Sequence, residues 1–223
     1  MRGYKRKRGM WLVSGVVLAS GLLAAPAGAA AETGESPARS VPGCETGCET
    51  VFSLSLPNDV SFEGLRPSDP ASGLNTLLAY SAGGQLRAVD EVTGSDGRPY
   101  DAILSAACGF EGDAQRCSVG YGYGAHSGAV ASVLLTWDRG IEVTSFAEGG
   151  AGPVGTPDLD GDGAPDAVVK QSTGIPDHAS APQFWQTFVE RDGLFVSTGC
   201  TEPATGPQDE PAAPATGTCV LTG

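Results

Sequence analysis

The stretch Phe184-Trp-Gln-Thr-Phe-Val-Glu-Arg-Asp-Gly-Leu-Phe-Val196 carries alternating apolar residues on both sides of a glycine-containing turn at Arg191–Gly193. A repeat of two residues is the period of a β-strand that buries one face. An Asp-Gly pair supplies the positive backbone angles that a tight hairpin turn needs. The stretch therefore predicts a β-hairpin.

Two further stretches share this layout. Leu77–Val89 turns at Gly83-Gly84, and Leu134–Phe146 turns at Asp138–Gly140. An aspartate that opens a short apolar strand precedes each hairpin, and these are Asp59, Asp101 and Asp166. The repeated layout predicts an all-β fold of about three blade-like antiparallel units, arranged as a small or partial β-propeller or as a β-sandwich.

The N-terminus has the composition of an export signal. A cationic head at residues 2–8 precedes the apolar run Trp11–Leu23, and small residues follow as far as Ala31. The run is shorter than the ~20 residues of a membrane-spanning helix, which favours a cleaved signal peptide at residues 1–31 and a secreted product without a membrane anchor.

Composition divides the remaining chain into three segments. A polar, flexible lead-in is expected at residues 32–50, the β domain at residues 51–200, and a Pro/Ala/Thr-rich tail at residues 201–223. Removing residues 1–31 takes away five of the 13 Lys and Arg residues and none of the 26 Asp and Glu residues, so the formal net charge falls from −13 to −18. Such an acidic chain repels phosphate backbones and excludes nucleic acid as a partner.

The chain contains six cysteines, an even number that predicts disulfides in an exported protein. We expect Cys108–Cys117 to close one loop of the β domain and Cys200–Cys219 to close the tail. A Cys44–Cys48 pair would form a tight ring. Zinc binding is the alternative, but the unlike spacings of the pairs and the lack of a suitably placed histidine argue against it.

The strongest motif is Asp158-Leu-Asp160-Gly-Asp162-Gly-Ala-Pro-Asp166. Carboxylates stand at positions 1, 3, 5 and 9 of this loop, and Gly163 stands at position 6, where it permits a sharp turn. Calcium binds 6–8 oxygen atoms from loops wrapped in this manner. The spacing predicts a Ca²⁺ site whose ligands are Asp158, Asp160, Asp162, the backbone carbonyl of Ala164, and Asp166.

Val169 stands at position 12 of the motif, where an EF-hand requires Glu, and Ala167-Val-Val169 begins a strand. The motif followed by a short apolar strand instead resembles the calcium loop of FG-GAP/VCBS repeats, which build integrin-like β-propeller blades. The resemblance is specific over Asp158–Val169 and looser as far as Val196. It implies that calcium stabilises the blade and that Ser95–Tyr100, before Asp101, is a degenerate copy of the loop.

These features predict a secreted, calcium-stabilised binding or structural domain without enzymatic activity, with an extracellular protein or a glycan as its ligand. Two alternatives remain open: a hydrolase that uses His126 and Ser127 in the Gly-rich segment Gly120–Gly128, and a small inhibitor or effector of a protein partner. The spacing of Ser127 does not match a Gly-x-Ser-x-Gly elbow. Phe184-Trp185 and Trp137 occupy matching hairpins, which favours a core position over a sugar-binding platform.

Overall fold

The computed structural model describes residues 41–68, 76–94, 96–111, 114–124, 126–177 and 180–220. The predicted signal peptide and the first part of the predicted lead-in lie outside these residues. The described residues form twelve strands: β1 (Cys48–Leu56), β2 (Val60–Pro67), β3 (Leu77–Ala82), β4 (Gln85–Asp90), β5 (Ala102–Glu111), β6 (Ala114–Tyr123), β7 (Ser127–Thr136), β8 (Gly140–Gly149), β9 (Val154–Gly155), β10 (Ala167–Ser172), β11 (Gln183–Arg191) and β12 (Leu194–Cys200).

The strands form three four-stranded antiparallel sheets, in which strands that follow one another in sequence are neighbours. The first sheet contains β1–β4, the second contains β5–β8 and the third contains β9–β12. The prediction of three antiparallel β units in an all-β fold is therefore confirmed. In the part of the chain that the structure describes, no helix is long and apolar enough to span a membrane.

The predicted hairpins turn where the sequence indicates. Gly83 and Gly84 have φ angles of 58° and 72° between β3 and β4, and Asp192 and Gly193 have φ angles of 52° and 87° between β11 and β12. Two successive positive φ angles match the twist of the flanking strands, which is why Gly-Gly and Asp-Gly occupy these turns.

The second sheet is the middle layer of the molecule. On β7, Ala129, Ala131 and Val133 belong to a core cluster shared with the first sheet, whereas Val130 belongs to a cluster with Ala167 and Val169 of the third sheet. Alternate residues of β7 thus contact different neighbours, and both faces of this strand are buried. This double burial explains why β7 is a nearly continuous apolar run.

Glycines line the face of the second sheet that contacts the third sheet. A Cβ atom at Gly149 would lie 2.7 Å from the Lys170 carbonyl oxygen, and one at Gly128 would lie 2.6 Å from Cγ1 of Val154. A Cβ atom at Gly109 would overlap the carbonyl oxygen of Gly163. The backbones of the two sheets approach so closely that side chains are excluded at these positions.

The second unit differs from the predicted repeat. Asp59 and Asp166 precede the second strand of their sheets, whereas Asp101 precedes β5, the first strand of its sheet. Residues 96–100 therefore lie between two sheets, whereas the acidic loop lies between the first two strands of one sheet. Cys108 and Cys117 lie opposite each other on β5 and β6, so their disulfide joins two paired strands.

Two sequence interpretations were wrong in detail. A Gly-rich segment suggests a loop, but Gly120–Tyr123 is the end of β6, where Gly120 lies against Val154 of the third sheet and Tyr121 is fully buried in the core. Trp137 is not a core residue: it is 62% exposed, and the Arg87 guanidinium lies 4.1 Å from its ring centroid. Its counterpart Trp185 is buried, as expected.

Three disulfides connect the six cysteines as Cys44–Cys48, Cys108–Cys117 and Cys200–Cys219, and no cysteine is free. The last of these holds the C-terminal segment against the third sheet. There the Ala215 N–H donates to Thr187 Oγ1 at 2.9 Å, and Gln208 Nε2 donates to the Gln183 carbonyl at 2.7 Å. Three disulfides are typical of proteins that fold in an oxidising, extracellular environment.

Substitution of Gly149 by Ala tests the close approach of the sheets. We expect Gly149→Ala to lower the free energy of unfolding by about 1–3 kcal/mol, because the new methyl group meets backbone and Cβ atoms that cannot move aside. Gly122→Ala is the matched control, since its Cβ would meet only Leu104 at 3.7 Å. Equal free energies of unfolding for the two variants, measured with denaturant, would contradict the close approach of the second and third sheets at Gly149.

Candidate metal centre

The acidic loop connects the first two strands of the third sheet. It occupies residues 156–166, between β9 and β10. The same connection in the first sheet is the short turn Pro57–Asp59, in which Asn58 and Asp59 have φ angles of 64° and 56°. The third sheet therefore carries a long acidic loop at a position where the first sheet carries only a tight turn.

Three carboxylates of the loop converge. Asp158, Asp160 and Asp166 each place one carboxylate oxygen within 4.8 Å of the others. Asp158 and Asp160 are exposed residues, although only 19% of the Asp160 side chain is accessible beside Arg191, whereas Asp166 is fully buried. Converging carboxylate oxygens at one edge of a folded loop could hold a metal ion, with water able to enter from the exposed side.

The backbone of the loop folds around Asp158. Gly161 and Gly163 have φ angles of 77° and 91°, which glycine adopts without steric cost. Their N–H groups donate to Asp158 Oδ1 at 2.8 Å and to Asp158 Oδ2 at 3.1 Å. Glycine at these two positions thus lets the chain turn sharply enough to bring the following carboxylates toward Asp158.

Asp166 joins the loop to the sheet. Its Oδ2 accepts the Leu159 N–H at 2.7 Å, and its Oδ1 accepts the Glu190 N–H of β11 at 2.7 Å. Burial raises the pKa of Asp166, and the neighbouring charges of Asp160 and Asp162 raise it further, while the two backbone hydrogen bonds act in the opposite direction. A buried carboxylate with a raised pKa gains stability in its charged form from a nearby cation.

Arg191 is a cation that the chain itself supplies. Its Nη1 lies 2.8 Å from Asp162 Oδ2, and its Nη2 pairs with Asp160 Oδ2. The hydrogen bond from Arg191 holds the pKa of Asp160 below its usual range. Asp162 is not among the three converging carboxylates; its Oδ1 accepts the N–H of Ala164 at 2.9 Å, and its Oδ2 faces Arg191.

The loop is held from both sides by packing. Leu159 is buried in a cluster with Val168 and Trp185 of the third sheet. On the opposite side, Ser118 Oγ of β6 donates to the Pro165 carbonyl oxygen at 2.5 Å. The carboxylates are therefore carried by a loop that is fixed to the second and third sheets, so that less ordering is needed when an ion binds.

Neither Arg191 nor Ser118 can be recognised from the sequence as a neighbour of the loop. Ser118 lies in β6 and Arg191 ends β11, both far from the loop in sequence. The spacing of residues within one segment indicates which carboxylates of that segment converge. A partner from another strand is seen only when the arrangement of the strands in three dimensions is known. Glu190 was missed for the same reason, although Arg116 of β6 lies 3.7 Å from its carboxylate.

The residues of the predicted hydrolase alternative lie at the start of β7. Ser127 is its first residue, and His126 lies in the turn before it. Ser127 is paired with Tyr123 of β6 in the strand register. Comparison of the chain with protein-family models, curated proteins and solved structures finds no significant match. A function must therefore be inferred from the geometry of the molecule.

The structural role of Asp166 can be measured without metal. We expect Asp166→Asn, in the presence of chelator, to lower the free energy of unfolding by about 1–3 kcal/mol. Asn offers one carbonyl oxygen in place of two carboxylate oxygens, so either the Leu159 or the Glu190 N–H loses its acceptor. Asp209→Asn, at an exposed position, is the control and should leave stability unchanged. Unaltered stability of Asp166→Asn would contradict the assigned role.

Proposed function

We propose that this chain is a secreted calcium-binding domain whose fold is stabilised by the ion and whose role is binding or structural, not catalytic. The observation that supports the proposal most directly is the convergence of Asp158, Asp160 and Asp166 at the connection between β9 and β10. The proposed family is that of the FG-GAP/VCBS repeats, on the basis of the loop motif and the strand that follows it.

The chemistry of the donors favours calcium over other metals. The converging groups are all carboxylate oxygens, which hard cations prefer. Zinc and copper sites use His or Cys, but every cysteine here is in a disulfide, and the converging group contains no histidine. Backbone carbonyls and water would complete the coordination, as in other calcium loops.

The burial of Asp166 supports a stabilising role for the ion. A cation bound to this carboxylate would offset its desolvation while the two backbone hydrogen bonds stay in place. Binding would then favour the conformation in which the loop, β10 and β11 are joined. Because an unfolded chain cannot bring the three carboxylates together, binding free energy would add to folding stability.

The same proposal includes export and an extracellular partner. The N-terminal signal pattern and the three disulfides support export. The formal charge of −18 after removal of residues 1–31 disfavours nucleic acid and anionic membranes. An extracellular protein or a glycan is the proposed ligand of the domain as a whole.

Thermal unfolding with and without calcium tests this function. For the mature chain, calcium at ten to a hundred times its dissociation constant should add about 1.4–2.7 kcal/mol of stability, which raises Tm by several degrees. Asp160→Asn should lose this gain, because it removes a converging charge while both backbone hydrogen bonds to Asp166 stay in place. Asp209→Asn, which removes one charge elsewhere, should keep it. A Tm that does not respond to calcium or chelator would refute the proposal.

Arg191 should compete with the ion for the carboxylates. We expect Arg191→Gln to lower the calcium dissociation constant by up to about fivefold in isothermal titration, because the variant no longer places a guanidinium on Asp160 and Asp162. Arg139→Gln removes an exposed arginine that pairs with Glu142, and this control should not change the dissociation constant. Weaker calcium binding by Arg191→Gln would show that the arginine organises the site and does not compete.

A further inference from the structure

A cavity lined by carboxylates is formed by residues outside the calcium loop. The segment between β4 and β5 forms a cavity of about 310 Å³ with the end of β6 and with β8. This volume is at the low end of the range for small-molecule sites. Aromatic rings, carboxylates and backbone line the cavity, and its main lining residues are Gly94, Asp96, Tyr100, Asp101, Tyr123 and Glu148.

Packed tyrosines form the wall of the cavity. The Tyr100 ring stacks on Tyr121 with 4.6 Å between centroids, and the tilted Tyr123 ring lies 5.6 Å from Tyr100. Tyr100 is only 2% exposed, and its hydroxyl group has no hydrogen-bond partner among the described residues. A buried hydroxyl without a partner is uncommon in folded proteins, and here it lies beneath Gly94 at the cavity wall.

The charge around the cavity is predominantly negative. Asp96, Asp101 and Glu148 contribute three carboxylates, and Arg98 contributes one cation, which pairs with Asp96 at 3.1 Å. Asp101 accepts the Gly124 N–H at 2.6 Å, which fixes its carboxylate at the rim. Burial raises the pKa of Tyr100, and the neighbouring charges of Glu148 and Asp96 raise it further.

We propose that this cavity binds an organic cation, an ammonium or guanidinium group on a short apolar stem. Glu148 and Asp101 would pair with the charged group, and the stem would lie along the Tyr123 ring. The Tyr100 hydroxyl would accept a hydrogen bond from the charged group, which has N–H donors and no acceptor. Aromatic rings beside carboxylates are the combination that recognises such cations, because the ring face and the carboxylates attract the same charge.

Other ligand classes fit the cavity less well. The excess of carboxylates repels anions. Among the described residues, carboxylates close enough to hold a bare metal ion occur in the loop at Asp158, Asp160 and Asp166, and those of the cavity are not part of such a group. The wider spacing of the cavity carboxylates suits a larger cation. The cation belongs either to a free small molecule or to a Lys or Arg side chain of a polypeptide.

The test is a titration of the mature chain at constant calcium concentration, followed by NMR or calorimetry. The probes are N-acetyl-arginine amide and its neutral analogue N-acetyl-citrulline amide, which has nearly the same shape. We expect saturable binding of the arginine compound, weakened about tenfold by Glu148→Gln, and no comparable binding of the citrulline compound. Added salt should weaken the binding as well.

Controls separate this site from the calcium loop. Asp209→Asn removes a charge outside the cavity and should bind the probe as the unaltered chain does, and so should Asp160→Asn. A peptide with a central arginine that binds more tightly than the amide would identify a polypeptide as the source of the cation, and equal affinity would identify a free small molecule. Equal binding of citrulline and arginine, displacement of the probe by calcium, or unchanged binding by Glu148→Gln would each overturn the proposal.

Discussion

The buried carboxylate of Asp166 is the interaction on which the third sheet and its loop depend. Its two oxygens accept N–H groups from Leu159 in the loop and from Glu190 in β11, so one side chain connects two segments distant in sequence. Burial makes its charge costly, as the raised pKa shows. The protein offsets part of this cost with hydrogen bonds, and the proposed cation would offset more. Stability and the proposed ion binding would thus share one residue.

Much of the fold is predictable from local sequence, because hairpin turns and strand periodicity are local properties. Gly83-Gly84 and Asp192-Gly193 occupy the expected turns, and the disulfides join the cysteines that lie nearest in sequence. The stacking of sheets was not predictable in this way. Glycine is required at Gly149 by the neighbouring third sheet, and the contact of the exposed Trp137 with Arg87 joins residues far apart in sequence.

The candidate site was partly predictable for the same reason. The spacing of Asp158, Asp160 and Asp166 is encoded within one loop, and the structure brings these three carboxylates together. The pairing of Asp162 with Arg191 requires β11 to lie beside the loop, which spacing alone does not encode. The cavity near Tyr100 was missed as well, because its residues come from three separate segments and form no sequence motif.

The proposed cation would be held among aspartates that would otherwise repel one another. Equilibrium dialysis of the purified mature chain against radioactive calcium measures this directly, because it counts bound ions without reference to stability. The account predicts one calcium ion per chain at saturation and its loss when Asp158 and Asp160 are both replaced by Asn. If the unaltered chain retains no more calcium than the double variant, this claim is contradicted.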